Sequence, residues 1–566
     1  MRGKSKLTIF MALALVMSLF LSACSGGGNT EGGTTGGSSN GDSNEGTTEG
    51  DSSSGAKMAE EQVLNINIKT EPPSLNPGTA TDTTSAVVIK SIFEGLTRIT
   101  PDGVKPAMAK EIKTSDDGLK YTITLRDDIK WSNGDPVTAG DFEYAWKWVL
   151  NPKHEATYAY QLYPIKNAEK AKAGEVPLDK VGIKVVNDKK LIVTLGRKAP
   201  YFEKLLAFTT FMPVNEEVAK ANPKWYTDAG PNFVTNGPYT LEKWEHKDEI
   251  VLKKNPKYWD KENVHLNKIQ MVMVEDEQTE LNMYNNGELD WAGMPTGQLP
   301  LAAIPTLKQK GTLNIKPIAG VYYYAFNVEK EPFNNLKIRK AFSYAINRKG
   351  IVEQITKAGQ IPAMALVPPS MFPENKKGYF QDNNVEKAKE LLKQGMKELG
   401  YDSVADFPEI TLSYNTNEAH AKIAQAIQEM WKDTLGVDVK LYNAEWKVYL
   451  KKLEEGNYQV GRMGWLGDFN DAINFLEIFK EKGGNNYTNW HSEKYASLLE
   501  KSYGQADNPE QRMATMKQAE KVFMEDMPIA PIYFYTVAYV KKPYVKGVFI
   551  NGLGKSDYKW AYIAAH

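Results

Sequence analysis

Residues 410–441 read ITLSYNTNEAHAKIAQAIQEMWKDTLGVDVKL, and this stretch decides the fold class. Ile410-Thr-Leu-Ser-Tyr414 has the length and side chains of a strand. Ala419 to Leu435 has the spacing of a helix, with Ile423, Ile427, Met430 and Leu435 on one stripe and Gly436 as its stop. Val437-Asp-Val-Lys-Leu441 returns as a second strand. Strand, helix, strand is the unit from which parallel sheets are built, and ligands sit at the carboxyl ends of such strands.

Outward from this unit, further strands alternate apolar and polar residues. Leu64, Ile66 and Ile68 alternate with Asn65, Asn67 and Lys69, and Tyr121-Thr-Ile-Thr-Leu125 does the same. Leu191 to Leu195, Ile269 to Val274 and Tyr322 to Phe326 are further strands. A late helix starts at Asn508-Pro509, carries Met513, Met516, Val522 and Phe523, and ends before Pro528; Ile529 to Val540 then returns as a strand. No repeat recurs at the periods of solenoids or propellers. After residue 55 the composition does not break, so any lobes are interleaved rather than strung on linkers.

The first 57 residues read differently. Residues 1–23 have the form of a signal peptide: Arg2, Lys4 and Lys6, then a 15-residue apolar run from Leu7 to Leu21. That run is short of the roughly 20 residues a membrane span needs. It ends in Leu21-Ser22-Ala23-Cys24, which resembles the bacterial lipobox, with cleavage before a Cys24 that is then lipidated. Residues 24–57 would be the lipidated cysteine and a disordered tether. Residues 25–55 hold no aromatic, aliphatic or basic residue and only five acids among Gly, Ser, Thr and Asn. Such a coil reaches about 30 Å, from roughly 5–6 Å × √n. The body is then 58–566.

Composition excludes several classes. The 566 residues, 42% hydrophobic and 25% charged, are globular values and suggest two to four structural units. Sixty-nine Lys+Arg against 70 Asp+Glu give no basic surface for a nucleic acid. Loss of residues 1–23 would remove three basic and no acidic residues, taking the formal charge from −1 to −4. Cys24 is the one cysteine, so no internal disulfide, cysteine metal cluster or internal thiol catalyst is available. The six histidines form no His-Glu-x-x-His pair, and no Gly-x-Ser-x-Gly elbow occurs. Gly554-Lys555-Ser556 echoes a phosphate loop but has Phe549 where a glycine is required. Asp468-Phe-Asn470-Asp471 echoes a calcium loop but has Ala472 and Ile473 where a ligand and a glycine belong. No metal or cofactor is expected. A glycosidase needs only two carboxylates, so a surface hydrolase stays as an alternative.

Two segments carry a family resemblance. One runs through Phe93-Glu-Gly-Leu96, Ser115-Asp-Asp-Gly118, Tyr121 to Arg126 and Lys130-Trp-Ser-Asn-Gly-Asp-Pro-Val-Thr-Ala-Gly-Asp-Phe142. The other is Gly461-Arg-Met-Gly-Trp-Leu-Gly-Asp-Phe-Asn470; Val234 to Tyr239, Asn255 to Trp259 and Tyr322 to Tyr324 lie between them. Together, from about residue 60 to the C-terminus, the chain resembles family 5 of the extracellular solute-binding proteins, in particular the oligopeptide-binding lipoproteins of Bacillus-type Gram-positive bacteria. The resemblance implies an α/β, three-lobe periplasmic-binding-protein-like clamshell of the peptide-binding class. Lobe I would span about 60–93, 216–318 and 536–566, lobe II about 94–215, and lobe III about 319–535. It also implies a monomeric receptor, not an enzyme, lipid-anchored at the extracellular face of the cell membrane. Its partners would be oligopeptides and the permease subunits of an ABC importer; some members take up peptides that control sporulation and competence. The same fold in other members takes nickel, haem or sugar.

The resemblance also assigns residues. Asp468 matches the position that takes the peptide ammonium; Arg462 and His420 match contacts to its carboxylate. Trp465, Trp446 and Tyr158 match pocket walls, Thr83 a position whose backbone pairs with the peptide, and Tyr323 a similar one. Gly464 would let a ligand backbone approach. Lys357 is only near the lysine position of Gram-negative relatives. Read without the resemblance, Asp468 is a loop cap, Arg462 half of a structural ion pair, His420 a helix-start residue, and the aromatics plain core.

Overall fold

The computed structural model describes residues 57–566, so the expected signal, Cys24 and all of the tether but Lys57 lie outside the described residues. Three sheets of four or more strands organise the described chain. The first runs in the order Val63–Asn67, Lys268–Val272, Glu249–Lys254, Tyr239–Glu245. Its first pair is parallel, with Leu64 opposite Ile269 and Ile66 opposite Met271, all four buried. The alternation in Leu64-Ile66-Ile68 thus marks one face turned to a core. The second sheet, Ala109–Thr114, Lys120–Leu125, Lys190–Thr194, Ile183–Asn187, is antiparallel throughout.

The third sheet has seven strands. Its main order is Trp291–Gly293, Ile529–Lys541, Asn314–Phe326, Val460–Leu466, Ile410–Asn415, Val439–Ala444, and Ile361–Pro362 adds to Ile529–Lys541. The quoted unit folds as read, with the helix at Glu418–Leu435, capped by Asn417 and stopped at Gly436. The sheet is nonetheless mixed. Only Val460–Leu466, Ile410–Asn415 and Val439–Ala444 run parallel to one another; the other pairings are antiparallel.

The helix stripe also differs by one position. Ile423, Ile427, Trp431 and Leu435 are buried at strict four-residue steps, while Met430 is half-buried. One residue turns a helix by about 100°, so Met430 faces off the stripe that Trp431 completes. The Trp431 indole donates to Phe342 O at 2.8 Å, which satisfies its one polar atom in the core.

The long strand Asn314–Phe326 separates two cores. Tyr322, Tyr324 and Phe326 enter one, with the helices over that face; Val321, Tyr323 and Ala325 enter the other. The helix Pro509–Asp526 starts at Asn508, whose side chain accepts from Gln511 N at 3.0 Å. Met516 and Phe523 are buried as expected, Met513 and Val522 only partly, and the same face buries Arg512 and Glu520.

Candidate functional site

The carboxyl ends of the three parallel strands, at Asn415, Ala444 and Leu466, open into a cleft of about 1810 Å³, counting its open mouth. One wall is the strand Val460–Leu466. On one side it pairs with Asn314–Phe326 along its whole length, from Phe326 opposite Val460 to Gly320 opposite Leu466. On the other it meets Ile410–Asn415 only at Leu412–Val460 and Ser413–Gly461. Beyond Gly461 that edge has no strand neighbour among the described residues. The Tyr449 hydroxyl sits at the fork, donating to Arg462 O at 2.7 Å and approaching Ser413 O at 3.2 Å.

The two ends of this free edge carry opposite charges. Past Leu466, Asp468 is 4% exposed. Its Oδ2 accepts from Gln161 at 3.3 Å and Asn474 at 3.4 Å, and Asn474 Oδ1 accepts from Asp468 N at 2.8 Å. Lys555 Nζ lies 3.4 Å from Oδ1. Burial pushes the Asp468 carboxyl above the usual aspartate range, opposed by the charge of Lys555.

At the other end Arg462 projects between aromatic rings. Its Nη2 donates to the Tyr535 hydroxyl at 2.7 Å and its Nη1 to Asn415 Oδ1 at 3.3 Å. The guanidinium lies 4.5 Å from the Tyr322 ring centre, a cation–π distance. Nε is buried with no hydrogen-bond partner among the described residues. Among the described residues no carboxylate lies within ion-pair reach of Arg462. His420, 8% exposed, is close by: burial, and then the charges of Arg462 and Lys69, hold its imidazole well below the usual histidine range. It is a neutral ring, with Nδ1 3.3 Å from the Tyr322 hydroxyl.

Eight of the nine expected site residues line this one cleft: Asp468, Arg462, Gly464, Trp465, His420, Trp446, Tyr158 and Thr83. Trp465 is fixed by its indole N–H to Asn474 Oδ1 at 3.1 Å. Tyr158 packs edge-on against Phe208 at 5.0 Å and lies 6.2 Å from Trp465. Trp446 opens the helix Trp446–Glu454 at the end of a parallel strand. Thr83 is the first residue of the helix Thr83–Ile92, where amides have no intrahelical acceptor. Gly464 does more than leave room for a ligand. A Cβ there would meet the Tyr535 hydroxyl at 2.5 Å.

Tyr323 is the exception. The structure buries it in the core on the face of the sheet opposite Arg462, 6.4 Å from Phe479, and both of its strand edges are paired. Side chains alternate along a strand, so its neighbour Tyr322 is the one that reaches His420 and Arg462. Lys357 is exposed and outside the cleft lining; the cleft's lysines are Lys69, paired with Glu277 at 3.0 Å, and Lys555. Lys555 was visible in Gly554-Lys555-Ser556, but as a fragment of a phosphate loop. Tyr535 carries no local signal, because it reaches Arg462 across 73 positions of chain; Tyr449 and Asn474 lie only 13 and six positions from their partners, outside the stretch that carries the resemblance. Among the described residues no group of three or more His, Cys, Asp or Glu is placed to hold a metal, and no helix is long and apolar enough to cross a membrane.

Residues 103–487 match the model of "Bacterial extracellular solute-binding proteins, family 5 Middle". The oligopeptide-binding protein OppA of Bacillus subtilis (strain 168) is 53% identical over 557 residues, 98% of either chain. The crystal structure of Haemophilus influenzae OppA in complex with the peptide RPPGFSPFR has a TM-score of 0.84 at 30% identity, covering 90% of this chain and all of that one. The unliganded open form of the murein tripeptide-binding protein MppA scores 0.63 at 32% identity, covering 91% of this chain and 99% of that one.

Proposed function

The chain belongs to family 5 of the bacterial extracellular solute-binding proteins, and from that premise we propose that it is the oligopeptide receptor of an ABC importer. The observation that carries this reading is the free strand edge beyond Gly461, set between a buried acid and an arginine without an acid. An extended peptide added to that edge is held by main-chain hydrogen bonds, which do not depend on its sequence. Its ammonium then falls to Asp468 and its carboxylate to Arg462, where a planar fork suits two oxygens and neutral His420 adds a donor. A buried end charge without a partner would be costly, so both ends need one. Trp465, Trp446 and Tyr158 wall the side-chain pockets, and the backbone at Thr83 meets the peptide from the opposite side. The wide cleft leaves water to bridge to varied side chains.

The lobes follow as part of the same proposal: lobe I from 60–93, 216–318 and 536–566, lobe II from 94–215, lobe III from 319–535. The junctions near 318 and 535 fall inside two adjacent strands, Asn314–Phe326 and Ile529–Lys541, whose register shifts between Pro317 and Val321. A bulge in paired strands is a place where a hinge can bend without breaking the sheet. The receptor is a monomer held outside the cell membrane by lipid on Cys24, hands its peptide to permease subunits and does no chemistry on it. Stable attachment takes two or more acyl chains.

The test is calorimetry with tetraalanine, together with mass spectrometry of peptides that co-purify and of peptides incubated with the protein. Intact ligands, and a drop of roughly thirtyfold or more in affinity for Asp468→Ala, are expected, since truncating one partner of a buried charge pair costs about 2–5 kcal/mol. Cleavage products would replace the receptor by the hydrolase; unchanged affinity in Asp468→Ala would remove the ammonium anchor.

A further inference from the structure

Asp468 does not stand bare for a ligand's ammonium. Lys555 Nζ is 3.4 Å from its Oδ1, and the two side chains are 12% and 2% exposed. That separation is long for a charge-assisted bond, which is about 2.7–2.9 Å. Among the described residues no other cation lies within ion-pair distance of this carboxylate. The lysine and the acid both line the cleft.

Lys555 is held there by construction. Asn551 Oδ1 accepts from Leu553 N and Lys555 N, both at 3.0 Å, and Asn551 N donates back to Lys555 O at 3.1 Å. Gly554, at φ +74°, makes the turn. The next residues, Ser556–Asp557, pair with Phe549–Ile550, and Asp557 accepts from Arg98 at 2.9 and 3.0 Å. Lys90 lies behind, its buried ammonium pushed down to about 7 by burial and then by the charge of Lys555.

We propose that Lys555 is a specificity-determining residue at the amine end of the cleft. It neutralises Asp468 while no ammonium is present and opposes one on arrival, so it sets how far the receptor prefers free over blocked peptide N-termini. The inference rests on the reading that Asp468 takes the ammonium. With Lys555 in place a peptide whose amine is acetylated leaves no unpaired acid behind, and is tolerated. Without it the acid depends on the ligand for its counter-charge.

Calorimetry on tri- to pentaalanine, each as free amine and as N-acetyl form, tests this in Lys555→Met and Lys555→Arg. The Met variant should raise the ratio of free to acetylated affinity about tenfold or more. The Arg variant should lower it below wild type, because a guanidinium fork closes on the carboxylate with two bonds. A ratio unchanged or reduced in Lys555→Met overturns the proposal, as does a ratio at or above wild type in Lys555→Arg. The second variant keeps the charge and suffices if the first does not fold. Two arms separate the premise. Wild-type protein that binds neither form overturns the receptor reading and this proposal with it. A ratio unmoved by Asp468→Asn removes the ammonium anchor, and the role of Lys555 falls with it even though peptides bind.

Discussion

The Tyr535 hydroxyl fills the space that a side chain at Gly464 would need, and the same hydroxyl accepts from Arg462 at 2.7 Å. A missing side chain on one strand therefore positions a charged one two residues away. Gly464→Ala should push Tyr535 aside and leave the guanidinium without that bond. Hydrogen bonds to charged groups contribute about 1.5–3 kcal/mol, so affinity for a peptide with a free carboxylate should fall roughly ten- to hundredfold. A C-terminally amidated peptide should lose much less. Titrating both forms decides it: equal losses would mean that Gly464 only shapes the strand and that Arg462 does not meet the carboxylate. The misplaced expectation at Tyr323 belongs to this scale too. In Tyr322-Tyr-Tyr324 three identical residues give no sign of which points where, and a one-residue difference moves a side chain from one core to the other.

The helix Pro509–Asp526 buries two charged residues among its apolar ones, and each fastens a different segment. Arg512 donates twice to Asp471 at 2.8 Å, tying down the loop that follows Asp468. Glu520, fully buried, accepts from Leu366 N at 3.0 Å, Val367 N at 2.7 Å, and Asn375 Nδ2 and the Tyr379 hydroxyl at 2.9 Å. No cation faces it among the described residues. Burial raises its carboxyl to about 7, the hydrogen bonds only partly opposing it. A raised acid binds its proton more tightly in the folded state, so between the unfolded value near 4.5 and about 7 the native protein holds more protons. Its share of stability is thus full below that window and is lost as pH rises through it, on the order of 3 kcal/mol. Glu520→Gln should remove that part of the slope. Urea unfolding at pH 5 and pH 7 measures it, and a variant with the wild-type difference between the two would show that Glu520 is ionised throughout.

For the molecule as a whole, ligand capture should be a closing motion about the strands proposed to join lobes I and III. The fold superposes more closely on a peptide-bound relative than on an open, unliganded one. Contacts already cross from 94–215 to 319–535: Arg197 pairs with Glu477 at 3.2 Å, and Gln161 reaches Asp468 at 3.3 Å. Scattering from ligand-free protein should give a larger radius of gyration than protein saturated with tetraalanine, and an unchanged radius would sink the clamshell. Saturation should also raise Tm, by the equivalent of about 2.7 kcal/mol at a hundredfold excess over Kd. At the membrane, Cys24→Ser should yield protein that binds peptide normally yet leaves the detergent phase on partitioning. Retention in that phase, with the precursor processed as before, would discard the lipid anchor.

Features that rest on local pattern were legible in the amino-acid sequence. The strand–helix–strand unit at 410–441, with its cap at Asn417 and stop at Gly436, needs only periodicity and terminal residues. The contiguous stretch Gly461–Asn470, through its family resemblance, pointed to Arg462, Gly464, Trp465 and Asp468, which line one cleft. Tertiary structure decided the rest. It set the antiparallel partners that make the sheet mixed, the face on which each tyrosine of 322–324 lies, and the pairing of Lys555 with Asp468 across 87 positions of chain. The reason is physical: periodicity and capping act over a few residues, whereas a strand's partner and a buried acid's counter-ion are settled by which distant segments exclude water together.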